Sequence, residues 1–306
     1  MLVINDSDVT ENTDYRTLTK ELKSEFIRLR EGTAKNLYRK RLESSQGILD
    51  IMGGIDEEEG VGAVKQYFYG QNINFLISLF STRTSEILAI FPGRVVTRIR
   101  TAAASALATD ILSKRDSSVI GCIGAGYQAS EQVRAMSQMR TIKRVMVSDL
   151  DPEKLMAFKR MVEEQLGVEA VAKKSVDESF READIILTAT NSDVPVIRDE
   201  FIGDSCYINS IGSYTPRMRE IETSTICKSR IVAVDSLEET SRNTGELIDA
   251  LSSGCVDSGE INEFTDLVTE NIKIRRKSER ESSYFKSIGV GIEDLTIAYY
   301  LYSNFS

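Results

Sequence analysis

The 306-residue chain contains no histidine. That absence removes the side chain that most often moves protons near neutral pH and the commonest nitrogen ligand of zinc. Serine–histidine and cysteine–histidine mechanisms are excluded, no metal site is expected, and proton transfer falls to Lys, Asp, Glu, Tyr or water. Only four prolines are present, so helices and strands can run long without interruption. The four cysteines, Cys122, Cys206, Cys227 and Cys255, stand far apart and form no Cys-x-x-Cys pair. The start, MLVINDSDVT, has no basic segment leading into an apolar one, so no signal peptide is expected. Reduced thiols and a cytoplasmic location follow as the expectation. No apolar run approaches the ~18 residues of a membrane span. Basic stripes interleaved with aromatics are also missing. With a formal net charge of −9, neither nucleic acid nor an anionic membrane is expected as a partner.

What is present is the composition of a globular protein, 41% apolar and 28% charged, in a chain long enough for two domains. MLVI reads as an opening strand. DYRTLTKELKSEFIRLREG places Leu18, Leu22, Phe26 and Leu29 on one helical face, with Gly32 as its stop. From Gly47 to Phe91 the pattern turns to short β-type runs, GILDIM, VGAVKQYFY, INFLISLF and EILAIF, with STRTSE as a hairpin turn. RTAAASALATDILSK (100–114) reads as a helix of small residues suited to close packing. Strand and helix patterns then alternate through SVIGCIG, RVMVSDL, DIILTAT, SCYINSIG and RIVAVDS, which indicates a parallel sheet with crossover helices. The apolar segment GIEDLTIAYYLYSNF is expected to return to the first domain.

After the strand SVIGCIG, the run Gly124-Ala125-Gly126-Tyr127-Gln128-Ala129 has the form GxGxxA and leads into a helix. Gly124 permits a tight turn, Gly126 permits close approach of a pyrophosphate, and Ala129 permits tight helix–strand packing. The helix N-terminus offers free N–H groups and the positive end of its dipole. An acid is wanted at the end of the next strand, roughly 20 residues on, and Asp149 stands there. Its carboxylate suits ribose hydroxyls and repels a 2′-phosphate, with Asp151 adding to the repulsion, so NAD(H) is expected rather than NADP(H). A bare strand-to-helix turn with an incidental aspartate is the alternative.

Several dispersed motifs occur together: RIRTAAASALA (98–108), IGAGYQA (123–129), INSIGSYTPRMREI (208–221), VAVDSLEET (232–240) and FKSIGVGIEDL (285–295). With these the chain resembles the ornithine cyclodeaminase/mu-crystallin family nearly end to end. The resemblance implies an α/β fold: a Rossmann-type, doubly wound parallel sheet domain over 115–289. Beside it stands a smaller α+β substrate and dimerisation domain formed from 1–114 and 290–306. It also implies a homodimer and hydride exchange between a nicotinamide and the α-carbon of a small amino or cyclic imino acid.

Residue by residue, the resemblance puts Arg41, Lys65 and Arg100 around the substrate carboxylate, which suits the charge-assisted donors such a group needs. Asp50 matches a glutamate close to the substrate in cyclodeaminases, and with no histidine available Asp50 and Lys65 are the acid/base candidates. Asp50 could equally face solvent from an exposed side of its strand. Thr101 and the Gly126–Tyr127–Gln128 backbone are placed near the phosphates, Thr190 and Asn191 at a strand end facing the dinucleotide, and Ser213 and Ser287 near the nicotinamide. One departure matters: Tyr214 stands where ornithine cyclodeaminase carries an aspartate, and a phenol with a pKa near ~10 is no carboxylate base. The expected activity is therefore an NAD(H)-dependent amino-acid dehydrogenase or ketimine reductase. The alternatives are cyclodeamination of ornithine to proline and ammonia, and a non-catalytic binding protein like mu-crystallin.

Overall fold

Leu2 and Val3 form a short strand, β1, followed by α1 (Asp6–Glu11) and α2 (Tyr15–Glu31). These open the computed structural model, which describes residues 1–269 and 281–305. Leu18, Leu22 and Phe26 of α2 are fully buried, and Gly32 closes the helix in the left-handed conformation. Five strands follow: β2 (Ala34–Ser44), β3 (Gly47–Asp56), β4 (Val61–Tyr69), β5 (Ile73–Ser81) and β6 (Ile87–Pro92). They pair antiparallel in sequence order, and β1 adds to β6 in parallel, giving the order β1-β6-β5-β4-β3-β2. Strand β2 carries no apolar alternation; the long antiparallel ladder with β3 holds its charged residues extended. Helix α3 (Gly93–Leu112) begins directly after β6, several residues before the small-residue run that marks it in sequence.

The strand–helix rhythm then sets in with β7 (Val119–Ile123), α4 (Tyr127–Met139), β8 (Arg144–Ser148), α5 (Pro152–Leu166) and β9 (Glu169–Lys173). Next come β10 (Ile185–Thr188), β11 (Tyr207–Ser210), α6 (Thr223–Lys228), β12 (Ile231–Val234), α7 (Leu237–Asn243) and α8 (Gly245–Ser252). Strand β13 (Asn262–Glu263), α9 (Phe264–Val268) and β14 (Ser283–Lys286) complete this part. Among the described residues the strands of this second sheet are all parallel, in the order β13-β12-β14-β11-β10-β7-β8-β9. After β9 the chain crosses back to lay β10 against β7, so the strand order reverses there. In an open parallel sheet that reversal leaves a crevice at the carboxyl ends of the flanking strands. Ile186, Ile208, Val232 and Tyr284 fill the sheet's interior with fully or nearly buried side chains.

The last helix, α10 (Gly291–Ser303), packs on α2 and on strands β2 to β6. The chain divides into two compact units, Met1–Ala104 with Gly289–Ser306 and Ser105–Ile288, the division falling inside α3. Among the described residues no helix is long and apolar enough to cross a membrane.

One expectation is corrected. Cys227 and Cys255 form a disulfide with a Cα–Cα separation of 5.4 Å, while Cys122 and Cys206 keep buried thiols. The pair lies 28 residues apart in sequence, and the packing of α6 on α8 brings them together, which spacing alone does not reveal.

Beneath α2, Glu25 and Asp56 share one guanidinium: Arg28 donates to Glu25 Oε2, and its Nε lies 2.8 Å from Asp56 Oδ2. Burial, opposed by Arg28, pushes the Glu25 carboxyl up to about 7. An acid raised in the fold binds its proton more tightly folded than unfolded. Stability is therefore lost as pH rises from the ordinary carboxyl range to about 7, by about 3 kcal/mol in all. Glu25→Gln is expected to raise Tm at pH 8 and to leave it nearly unchanged at pH 5. Equal shifts at both pH values in thermal melts would contradict this origin.

Candidate active site

In the first unit, strand register brings the charged residues together. Arg41 on β2 stands opposite Asp50 on β3, and its Nε and Nη2 donate to the two carboxylate oxygens at 2.8 and 2.7 Å. This bidentate contact holds the arginine more basic than usual, with burial opposing. Asp50 is fully buried, so the alternative of an exposed aspartate is set aside. On β4, Lys65 pairs with Met52, two residues along from Asp50, so the two-residue period of a strand puts Lys65 and Asp50 on the same face.

Lys65 is 2% exposed, and its Nζ donates to both oxygens of Asp294 at 3.1 and 3.0 Å. Arg100, on α3, donates from Nη1 to Glu293 Oε2 at 2.9 Å, and its Nε lies 3.7 Å from Asp294. Both acids open α10, and a close approach delivers them there: a Cβ on Gly291 would stand 2.2 Å from the carbonyl oxygen of Gly53 on β3. Only glycine lets the helix start this near the sheet. Burial, opposed by Asp294 and reinforced by Arg100, pulls the Lys65 ammonium down to about 8. The sequence pattern does not point to Glu293 and Asp294 as partners. Their marks are adjacency, two acids side by side in an apolar helix, and a place inside the motif FKSIGVGIEDL.

In the second unit a groove of about 720 Å³ opens at the strand-order reversal, lined among others by Gly124, Gly126, Asp149, Thr190 and Asn191. Gly124 takes a φ of +94°, and a Cβ there would lie 2.6 Å from the carbonyl oxygen of Ala189. Gly126 is the N-cap of α4 and supplies no side-chain hydrogen bond, so the first N–H groups of α4 have no cap from it. A Cβ on Gly126 would meet nothing within 4 Å, which leaves room for a ligand against the backbone. Asp149 accepts from the N–H groups of Ala125 at 2.6 Å and Asp151 at 2.8 Å, fixing its carboxylate at the end of β8. The carboxyl-bearing strand end, the uncapped helix start and the open glycine cradle together fit a dinucleotide phosphate and ribose.

The remaining candidates do not line this groove. Thr101 follows Arg100 on α3 and donates to the Thr97 carbonyl at 2.7 Å. Tyr127 and Gln128 open α4, where Gln128 Oε1 is buried without a hydrogen-bond partner among the described residues. Ser213, just past β11, likewise has a buried, unpartnered hydroxyl. Ser287, just past β14, donates to Asp235 at 2.8 Å. Two buried acids that the sequence reading does not single out, Asp235 and Glu220, organise these strand ends. No group of three or more Cys, Asp or Glu residues among the described residues could hold a metal ion.

The ornithine cyclodeaminase/mu-crystallin family model matches residues 1–306. The chain belongs to that family. Within the family, it is 32% identical over 232 residues to a Δ1-pyrroline-2-carboxylate reductase of Bacillus cereus, covering 76% of this chain and 71% of the relative. It is 31% identical over 229 residues to an alanine dehydrogenase of Archaeoglobus fulgidus, covering 75% and 70%. The structure superposes with a TM-score of 0.93 on Thermococcus litoralis Δ1-pyrroline-2-carboxylate reductase in complex with NADH and L-proline, at 30% identity over 99% of this chain and 97% of that one.

The two glycines of the cradle separate fold from ligand binding. Gly124→Ala is expected to lower stability by about 2 kcal/mol or more, through both its φ and its backbone clash. Gly126→Ala is expected to leave Tm unchanged, so any loss of ligand affinity in it reports on the ligand alone. Matching melts for both variants would contradict the assigned backbone geometry.

Proposed function

We propose that this chain is an NADH-dependent imine reductase whose substrate is a small cyclic imino acid with its carboxylate on the imine carbon. The likeness over 99% of the chain to a reductase solved with NADH and L-proline carries this reading. Arg100 and Arg41 are its carboxylate-binding cations, with Lys65 beside them. Their resident partners, Glu293, Asp294 and Asp50, hold the cations in place and temper their charge in a setting where an unpaired buried ion would be costly.

The proposed dinucleotide site is the groove of the second unit, lined by Gly124, Gly126, Asp149, Thr190 and Asn191; Ala125, Tyr127 and Gln128 continue its glycine-rich run, and Ser213 and Ser287 are proposed to serve it from the strand ends. Bound there, a nicotinamide supplies the hydride. The imine carbon takes that hydride and the nitrogen takes a proton, turning C=N into CH–NH. Lys65, drawn down to about 8, supplies the proton and takes it back in the reverse direction. Asp50 holds Arg41 and so acts through it. Asp149 keeps a negative charge where an adenosine 2′-phosphate would lie, which favours NAD(H) over NADP(H).

An open-chain amino-acid dehydrogenase uses the same hydride step, with water hydrolysing the imine to a keto acid and ammonia, and the alanine dehydrogenase relative keeps that substrate range in view. Ornithine cyclisation is disfavoured because Tyr214, 39% exposed, offers no carboxylate to hold a second amine. The working form is proposed to be a homodimer, supported by the dimeric alanine dehydrogenase with bound NAD that this chain resembles at a TM-score of 0.89. A one-chain mass in light scattering would remove the dimer without touching the chemistry.

The test is NADH oxidation with Δ1-pyrroline-2-carboxylate, and NAD⁺ reduction with L-proline, across pH. Reduction needs the Lys65 ammonium and is expected to fall as pH rises through about 8. Oxidation needs the free amine and is expected to rise through the same point. Lys65→Met should cost about 10²- to 10⁴-fold in both directions, and NADH should outperform NADPH. Absence of turnover with intact NADH binding would favour a binding protein over an enzyme.

A further inference from the structure

We propose that Glu220 is the positioning residue of the dinucleotide site, a buried carboxylate that staples together the strand-end loops on which the ligand rests. The inference rests on the assignment of that site to the second unit. Glu220 follows β11 by ten residues and is fully buried. Its Oε1 accepts from the Thr190 N–H at 2.6 Å and the Thr190 hydroxyl at 2.8 Å. Its Oε2 accepts from the N–H groups of Gly212 at 2.7 Å and Ser213 at 3.3 Å, and from the hydroxyls of Thr188 at 3.0 Å and Ser210 at 3.2 Å. One oxygen thus serves the loop after β10, and the other serves mainly the loop after β11.

The residue is itself held. Its N–H donates to Glu246 Oε2 at 2.7 Å, and its carbonyl accepts from the Val196 N–H at 2.8 Å. Glu246 in turn faces the Lys286 ammonium at 3.1 Å and accepts from the Tyr284 hydroxyl at 3.0 Å. The loops that Glu220 joins touch directly. A Cβ on Gly212 would stand 2.2 Å from the Thr190 carbonyl oxygen and 2.5 Å from Glu220 Oε1. Gly124 makes a similar approach to Ala189, the residue before Thr190. The glycine-rich loop, the loop after β10 and the loop after β11 therefore lie edge to edge.

The chemistry asks for an anion. Five donors, and a Ser210 hydroxyl shared with the nearer Glu246 Oε1 at 2.8 Å, converge on two oxygens, and a carboxylate has about four lone-pair directions and no hydrogen to clash with them. Glutamine would keep one oxygen and turn an NH₂ group against the N–H of either Thr190 or Gly212, leaving that donor buried without an acceptor. With those N–H groups turned to Glu220, Thr190 and Asn191 are set along the groove and the Ser213 hydroxyl is left without a hydrogen-bond partner among the described residues. Glu220 touches no ligand in this arrangement and acts through the loops.

The test begins with NADH titration of the purified protein by fluorescence. Wild-type protein that fails to bind NADH overturns the site assignment itself. Given wild-type binding, Glu220→Gln is expected to weaken NADH about 10-fold, equivalent to about 1.4 kcal/mol. The KM for the imino acid at saturating NADH should stay within about 2-fold, because the proposed substrate cations belong to the other unit. Glu220→Asp, which keeps the charge, is expected to recover part of the NADH affinity. Wild-type NADH affinity in Glu220→Gln, with only Tm lowered, would overturn the proposal. Should that variant not fold, hydrogen exchange on the wild-type protein without NADH decides the question. The Thr190 and Gly212 amides must be protected there, and rapid exchange at both refutes the staple.

Discussion

A charge removed from water must find a partner or be neutralised, and that constraint governs both units of this protein. In the first unit it sets Lys65 against Asp294, Arg100 against Glu293, and Arg41 against Asp50. In the second it sets Lys286 against Glu246 and surrounds Glu220 with hydroxyl and backbone donors. The two solutions differ in kind. Paired ions hold each cation in place through a carboxylate that is itself fully buried. A carboxylate ringed by neutral donors is a fixed mechanical joint.

This difference suits the proposed division of labour. A substrate site must release its product, so its cations benefit from partners that already satisfy them when it is empty. A dinucleotide site must hold a long ligand in one register, so its loops benefit from rigidity before the ligand arrives. Gly212 and Gly124 contribute to the second requirement by letting backbones meet where any side chain would intrude.

Much of this was legible in the sequence where the information is local. The run from Gly124 to Ala129 and the acid at Asp149 are set by the geometry of a single strand–helix–strand unit, so spacing alone locates them. The amphipathic face of α2 and the apolar strands β3 to β6 follow from periodicity for the same reason. Strand β2 was not legible, because AKNLYRKRLES has no apolar alternation and owes its extension to the ladder with β3. The Cys227–Cys255 bond, the Arg41–Asp50 pair and the carboxylates facing Lys65 and Arg100 all depend on register or on chain segments that meet only in the fold. Glu220 lies inside a motif that marks the family, yet nothing in the motif says that its side chain points back to two loops.

The position of α10 has a consequence for biosynthesis. Lys65 and its partner Asp294 are separated by 229 residues, so on a translating ribosome the five strands β2 to β6 emerge long before the acids that neutralise their cations. The buried carboxylates that pair with Lys65 and Arg100 are therefore supplied last, when α10 packs on the sheet.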